Sequence, residues 1–405
     1  MSVITVFNGL FSEAGVVVKR VVDATGYRLI TDQEIVAEAA KLSGLSEDKI
    51  ARAFQAKGSV FNAFSHEKER AVAWLRFAMA KKLMDQDKLL FSGFASQLSA
   101  PEIDHILKVC LVSEMKERLA VAERTEGFAE KHALKLIHKD DSDRAAWVES
   151  LKGVNDPWSK ALYDVVVPVG ASGVERSVDL IVEQLANEAV QVTDASRAKV
   201  ADFMLAAKVG TVLATEGHTV LVAAKDKTVT LTINKHVLML ERLERELSDI
   251  VSGVDGVEKV ETVVGKGFHQ TDIYRKMDFD IPSKVLLVDD EREFVQTLSE
   301  RLMMRDMGSA VVYDGESALN LVQEDEPEVM ILDLKMPGID GIEVLRRVKS
   351  DHPNIQVIIL TGHGSEKDRQ ICMELGAFAY LHKPVDIDVL SETLKAANEK
   401  VQGIK

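Results

Sequence analysis

Short apolar runs alternate with long amphipathic ones over roughly the first 190 residues. Residues 3–7, 88–92, 108–112 and 164–168 predict strands, and residues 15–25, 32–42, 65–84, 114–123 and 129–138 predict helices. Strands spaced by helical segments imply βαβ units and a mostly parallel sheet. The rhythm changes over residues 193–268. A helix over 195–213 precedes two alternating runs, 219–223 and 228–233, joined through Lys225-Asp226-Lys227 as a hairpin. A second helix carries Leu240, Leu243, Leu247 and Ile250 at core-facing spacing, and residues 257–264 predict a third strand. Residues 269–283 are polar and mixed in charge, and Pro282 disfavours helix or central strand there, so they read as a linker. From Lys284 onward, apolar strands at 284–288, 329–332, 356–360 and 379–382 each run into polar residues.

The predicted organisation is α/β. Residues 1–190 form a parallel α/β domain, 193–268 a small α+β domain, 269–283 the linker and 284–405 a doubly wound domain. Apolar residues at 46% and charged residues at 28% exclude global disorder. A net charge of −15 with no Lys/Arg-rich module argues against a nucleic-acid partner. Cys110 and Cys372 are far apart and suggest no disulfide framework. The N-terminus lacks a secretory pattern and no apolar run is long enough to span a bilayer, so a cytoplasmic protein is expected.

The C-terminal strands carry the chemistry. Residues 284–288 run into Asp289-Asp290-Glu291, the second strand ends at Asp333, the third at Thr361 and the fourth at Lys383-Pro384. The C-terminal edge of an open parallel sheet is where sites are built. Carboxylates crowded there take up protons unless a cation neutralises them, and hard oxygen ligands favour Mg²⁺. One carboxylate can then act as a nucleophile towards phosphorus while the metal and Lys383 neutralise phosphoryl oxygens. Thr361 can hydrogen-bond to the product and report the charge change.

These residues resemble the receiver domain of two-component response regulators over essentially all of 284–405. The likeness rests on Asp289-Asp290, on Asp333 within Leu332-Asp333-Leu334-Lys335-Met336-Pro337-Gly338, on Thr361-Gly362, and on Tyr380-Leu381-His382-Lys383-Pro384. It implies a flavodoxin-like (βα)5 fold with Asp333 as phosphoacceptor. It further implies Asp290, Asp333 and the Lys335 carbonyl as Mg²⁺ ligands, with Asp289 acting through water. Thr361 and Tyr380 would be the switch pair, Lys383 the phosphate contact, and the Lys383–Pro384 bond cis. The implied partner is a sensor histidine kinase or phosphotransfer protein. Whether phosphorylation drives a homodimer or frees a surface on the N-terminal domains stays open.

Residues 1–190 resemble the cytidylate-kinase-like family. The matching features are Val3-Ile4-Thr5, Gly26-Tyr27 before Asp32-Gln33-Glu34-Ile35, Glu117-Arg118, Asp141-Ser142-Asp143-Arg144, and Tyr163-Asp164-Val165-Val166-Val167. The phosphate loop departs from the family. Aligned without gaps, the family's loop glycines fall at Phe11, Glu13 and Ala14, its basic residue at Gly15, and its later Gly-Arg at Gly93-Phe94. A carboxylate about 4 Å from a phosphate charge costs roughly 4 kcal/mol. The expectation is a degenerate, pseudokinase-like domain without useful ATP affinity. Arg118, Arg124 and Arg144 correspond to phosphate-closing arginines; they are either a residual anion site or solvated charges. Asp32 and Glu34 fall at acceptor-nucleotide positions, though acids also suit a helix N-terminus. The α-β-β-α-β order of 193–268 resembles a BON-type module.

The leading functional reading is a response regulator whose receiver switches the interactions of this N-terminal region. The alternative is an active nucleoside monophosphate kinase gated by its receiver.

Overall fold

The computed structural model describes residues 2–61, 65–237, 239–268, 274 and 276–403. Residues 269–273 and 275 of the expected linker lie outside these. The chain divides into two compact units, one of residues 1–58 and 67–274, the other of 59–66 and 275–405.

The first unit opens with β1 (Val3–Asn8), α1 (Ala14–Thr25), β2 (Arg28–Thr31), α2 (Asp32–Ser43) and α3 (Glu47–Ala51). It continues through α4 (Glu67–Asp85), β3 (Leu89–Ser92), β4 (Ile106–Val112), α5 (Met115–Glu126), α6 (Glu130–Lys152), β5 (Val165–Pro168) and α7 (Val169–Leu185). The strands form one parallel sheet in the order β2-β3-β1-β4-β5. Strand β2 is not among the predicted strands. Its four residues bury only Ile30, because an edge strand covered on one face shows no apolar run. Helix α6 runs to Lys152, well past the expected stop at residue 138, and ends on Gly153 in the left-handed conformation. The two sheet faces are covered by separate cores. One holds Ile30, Leu75, Phe91 and Trp147, and the other holds Val17, Val21, Leu107, Val109 and Ile181.

Helix α8 (Asp194–Thr215) follows, then β6 (Leu221–Lys225), β7 (Thr228–Ile233), α9 (Leu240–Ser252) and β8 (Lys259–Val264). Strands β6 and β7 are antiparallel and β8 joins β7 in parallel, as a crossover through α9 requires. The first strand of the hairpin starts two residues later than expected. Helix α8 belongs to two cores. Val200, Phe203 and Ala207 pack with α4 residues such as Ala71 and Leu75, while Val209 and Leu213 pack with Val229 and Leu231 of the small sheet.

The second unit holds β9 (Val285–Val288), α10 (Arg292–Met303), β10 (Ser309–Val312), α11 (Gly315–Glu324), β11 (Val329–Leu332), α12 (Gly341–Asp351), β12 (Gln356–Thr361), α13 (Glu366–Glu374), β13 (Ala379–His382) and α14 (Ile387–Val401). Its parallel sheet has the order β10-β9-β11-β12-β13. This is the doubly wound flavodoxin-like order, and it reverses beside β9, between that strand and β11. Strand β10 is not among the predicted strands either, since all four of its residues are only half-buried. Strands β9, β11 and β12 are buried throughout, which is why their sequences read as unbroken apolar runs. Among the described residues, no helix is long and apolar enough to cross a membrane.

Candidate functional site

Strands β9 and β11 lie side by side in register, Val288 opposite Leu332. The residues that follow them, Asp289, Asp290 and Asp333, therefore leave the sheet at one edge. A carboxylate oxygen from each comes within 4.8 Å of the others. Asp289 and Asp333 are buried and Asp290 is exposed. Lys383, just past β13, reaches across with Nζ 2.7 Å from Asp289 Oδ2, 2.8 Å from Glu291 Oε1 and 3.5 Å from Asp333 Oδ2. Backbone amides hold two of the acids in place: Leu334 N–H donates to Asp333 Oδ1 at 2.7 Å, and Glu291 N–H to Asp289 Oδ1 at 2.9 Å. Gly341 permits the tight turn behind Asp333, because a Cβ there would meet the Asp333 carbonyl oxygen.

Burial raises the Asp289 pKa against the opposing pull of Lys383. Burial also works against the Lys383 ammonium, but its hydrogen bonds to Asp289 and Glu291 prevail and its pKa is raised. Glu291, named in the sequence only as the end of the Asp289-Asp290-Glu291 run, also joins this cluster. Its hold on Lys383 spans 92 positions and has no local signature.

Thr361 is fully buried at the end of β12, and its Oγ1 accepts from the His363 amide at 3.3 Å. Tyr380 lies on the neighbouring strand β13. Its hydroxyl is buried without a hydrogen-bond partner among the described residues, close to Gly364, where a Cβ would collide with it. The Lys383–Pro384 peptide is cis. Lys335 is exposed immediately after the Asp333-Leu334 turn.

The C-terminal edge of the N-terminal sheet is arranged differently. In the loop after β1, Phe11 and Glu13 have φ of 59° and 58°, the left-handed region that favours glycine. These are two of the positions where the kinase-like family carries glycine, so the loop keeps a glycine-type backbone without the glycines. Arg118 and Arg144 are buried, which rules out solvated surface charges for both, whereas Arg124 is exposed. Each of the three has a carboxylate partner. Arg118 makes a bidentate pair with Asp141 at 2.8 Å, Arg144 Nε donates to Asp140 at 2.7 Å, and Arg124 pairs with Glu13. Asp32 accepts from the Phe94 and Ala95 amides at 2.9 and 2.7 Å, and burial raises its pKa. Glu34 pairs with Arg28 and Lys82. Trp147 is fully buried, with Nε1 donating to the Phe94 carbonyl at 2.9 Å.

The sequence matches the response regulator receiver domain family over residues 285–395 and the cytidylate kinase-like family over residues 3–171. Sporulation initiation phosphotransferase F of Bacillus subtilis (strain 168) is 38% identical over 112 residues, which are 28% of this chain and 90% of that protein. Transcriptional regulatory protein CpxR of Escherichia coli (strain K12) is 41% identical over 114 residues, 28% of this chain and 48% of CpxR. The chain thus spans about half the length of CpxR. A response regulator receiver domain protein from Clostridium thermocellum is similar in structure at 32% identity, covering 30% of this chain and 98% of that one with a TM-score of 0.29. With a receiver domain that covers nearly all of the Bacillus subtilis protein, and a cytidylate-kinase-like region ahead of it, the chain belongs to the response regulator receiver family.

Proposed function

We propose that the chain is a two-component response regulator in which Asp333 accepts a phosphoryl group and thereby changes the interactions of the kinase-like region. The observation that carries this reading is the charge balance at the receiver's sheet edge. Three carboxylates meet there with one ammonium, and that ammonium is shared with Glu291. Such a cluster is incomplete without a further cation. Its donors are hard oxygens, with Asp290 open to solvent, and that set suits Mg²⁺. Asp290, Asp333 and the Lys335 carbonyl would hold the ion, with Asp289 acting through water. When bound, Mg²⁺ supplies charge neutralisation for phosphoryl oxygens.

An Asp333 carboxylate oxygen attacks phosphorus while the bond from phosphorus to the donor breaks. For a phosphohistidine donor on a sensor kinase or phosphotransfer protein, that is a P–N bond, and the imidazole takes up a proton as it leaves. Lys383 lies 3.5 Å from Asp333 and can follow the new phosphoryl oxygens. Thr361 supplies a hydroxyl to the product, and Tyr380 on the adjacent strand responds to the move. In this reading the N-terminal region binds or senses without catalysing.

The test is intact mass after incubation of the full chain with Mg²⁺ and acetyl phosphate, and with a phosphorylated histidine phosphotransfer domain. One added phosphoryl group that Asp333→Asn abolishes supports the reading. No gain from either donor overturns it.

A further inference from the structure

Three aspartates of α6 are each committed to a different neighbour. Asp140 Oδ2 accepts from the Leu10 amide at 3.0 Å, in the loop after β1. Asp141 takes both terminal nitrogens of Arg118 on α5. Asp143 Oδ1 accepts from the Ala56 amide at 2.7 Å, beyond α3. The same helix is thus tied by carboxylates to three separate segments of the unit. A further pair of amides, Phe94 and Ala95, is taken by Asp32.

Backbone amides and guanidinium groups gathered at the C-terminal edge of a parallel sheet are suited to phosphate oxygens. Here they already hold carboxylates. We propose that Asp140 and Asp141 act as built-in anions that fill the phosphate-binding groups of the N-terminal unit and pin α6 over the loop, closing the region without a nucleotide.

The charge balance supports this. Arg118 and Arg144 are matched by Asp141 and Asp140, and Arg124 by Glu13. Arg118 also donates through Nε to the Leu10 carbonyl at 2.7 Å, so loop and helix are joined from both sides. Gly9 makes room for this contact, since a Cβ there would lie 3.0 Å from Arg118 Nη2. Arg144 Nη1 has no hydrogen bond among the described residues, but the guanidinium lies 5.1 Å from the Phe7 ring centroid and 4.5 Å from that of Phe94, which cover it. An incoming phosphate would meet two carboxylates and would have to break existing pairs before gaining its own.

The inference concerns the N-terminal unit and does not depend on phosphorylation of Asp333, so its test uses no phosphodonor. The full chain is titrated calorimetrically with pyrophosphate, Mg·ATP and CMP. Wild type is expected to bind none of them at micromolar concentrations. Asp140→Asn/Asp141→Asn keeps both shapes and removes two charges, and is expected to bind pyrophosphate at least about tenfold more tightly than wild type. Micromolar binding of pyrophosphate or ATP by wild type overturns the proposal, and so does a folded double variant with no gain. Amide hydrogen exchange on wild type gives a second measurement that does not rely on the variant folding. The Leu10 amide, held by Asp140, should be protected without ligand, and exchange at unprotected rates overturns the proposal.

Discussion

Two parallel five-stranded sheets in this chain gather charged groups at their C-terminal edges, and the two edges are balanced differently. At the receiver edge, Asp289, Asp333 and Glu291 lie round Lys383, and Asp290 joins Asp289 and Asp333. At the N-terminal edge, three arginines are matched by three acids. An unmatched cluster is held at a cost that a bound cation or a new phosphoryl contact can relieve, so it is set up to change state. On the readings proposed above, the first edge serves as a reactive centre and the second, whose charges are already paired, as a fixed joint.

The largest effect expected from breaking this contrast is at Asp333. Asp333→Asn should abolish phosphoryl uptake altogether, whereas Arg118→Ala should leave uptake unchanged, both read by intact mass. Next come the thiols, one in each unit. Burial pushes Cys110 up to about 12 and Cys372 up to about 11. At pH 8 a disulfide reagent should therefore label Cys110 on the order of a thousandfold, and Cys372 on the order of a hundredfold, more slowly than in the unfolded chain. Site-resolved labelling during a urea titration then reports the opening of each unit separately.

Arg118→Ala should have the third-largest effect, since it strips a buried pair of its cation. It should destabilise the N-terminal unit by about 3 kcal/mol. Tryptophan fluorescence during urea unfolding reads this unit alone, because Trp74, Trp147 and Trp158 all belong to it.

The smallest effect is a pH slope. Burial lowers the Lys152 pKa to about 8, with Arg76 and Lys108 adding to the shift. At this group the unfolded chain then binds more protons than the folded one between that value and the ordinary 10.5, so Lys152 contributes stability that rises with pH across the window. Comparing wild type with Lys152→Met in the same fluorescence assay should isolate that contribution, the wild-type minus variant difference growing from about pH 8 to 10.5.

The receiver was legible because β9, β11 and β12 are buried throughout and these strands, with β13, each hand a chemically distinctive residue to one edge. Asp289, Asp290, Asp333 and Lys383 come together where the strand ends placed them. Edge strands were harder to read. Arg28–Thr31 and Ser309–Val312 are short and only partly buried, so neither shows an apolar run. In the N-terminal unit the departures in the loop after β1 were visible, but the ties between α6 and that loop were not. The Asp140–Arg144 pair follows helical spacing and could have been found. The bond from Leu10 to Asp140 joins residues 130 positions apart, and Asp143 reaches Ala56 across 87, distances at which no local pattern survives. The hold of Glu291 on Lys383 was missed for the same reason.

Helix α8 sets a rule for how this polypeptide can be divided. Its first half completes the core against α4 and its second half completes the small sheet. A cut ahead of Asp194 would bare the α4 face that Val200, Phe203 and Ala207 cover, and leave an apolar stripe in water. A cut after Thr215 would take Val209 and Leu213 from the small sheet instead. Neither piece is self-sufficient, so any recombination or proteolytic event that leaves both intact must pass the pair on together.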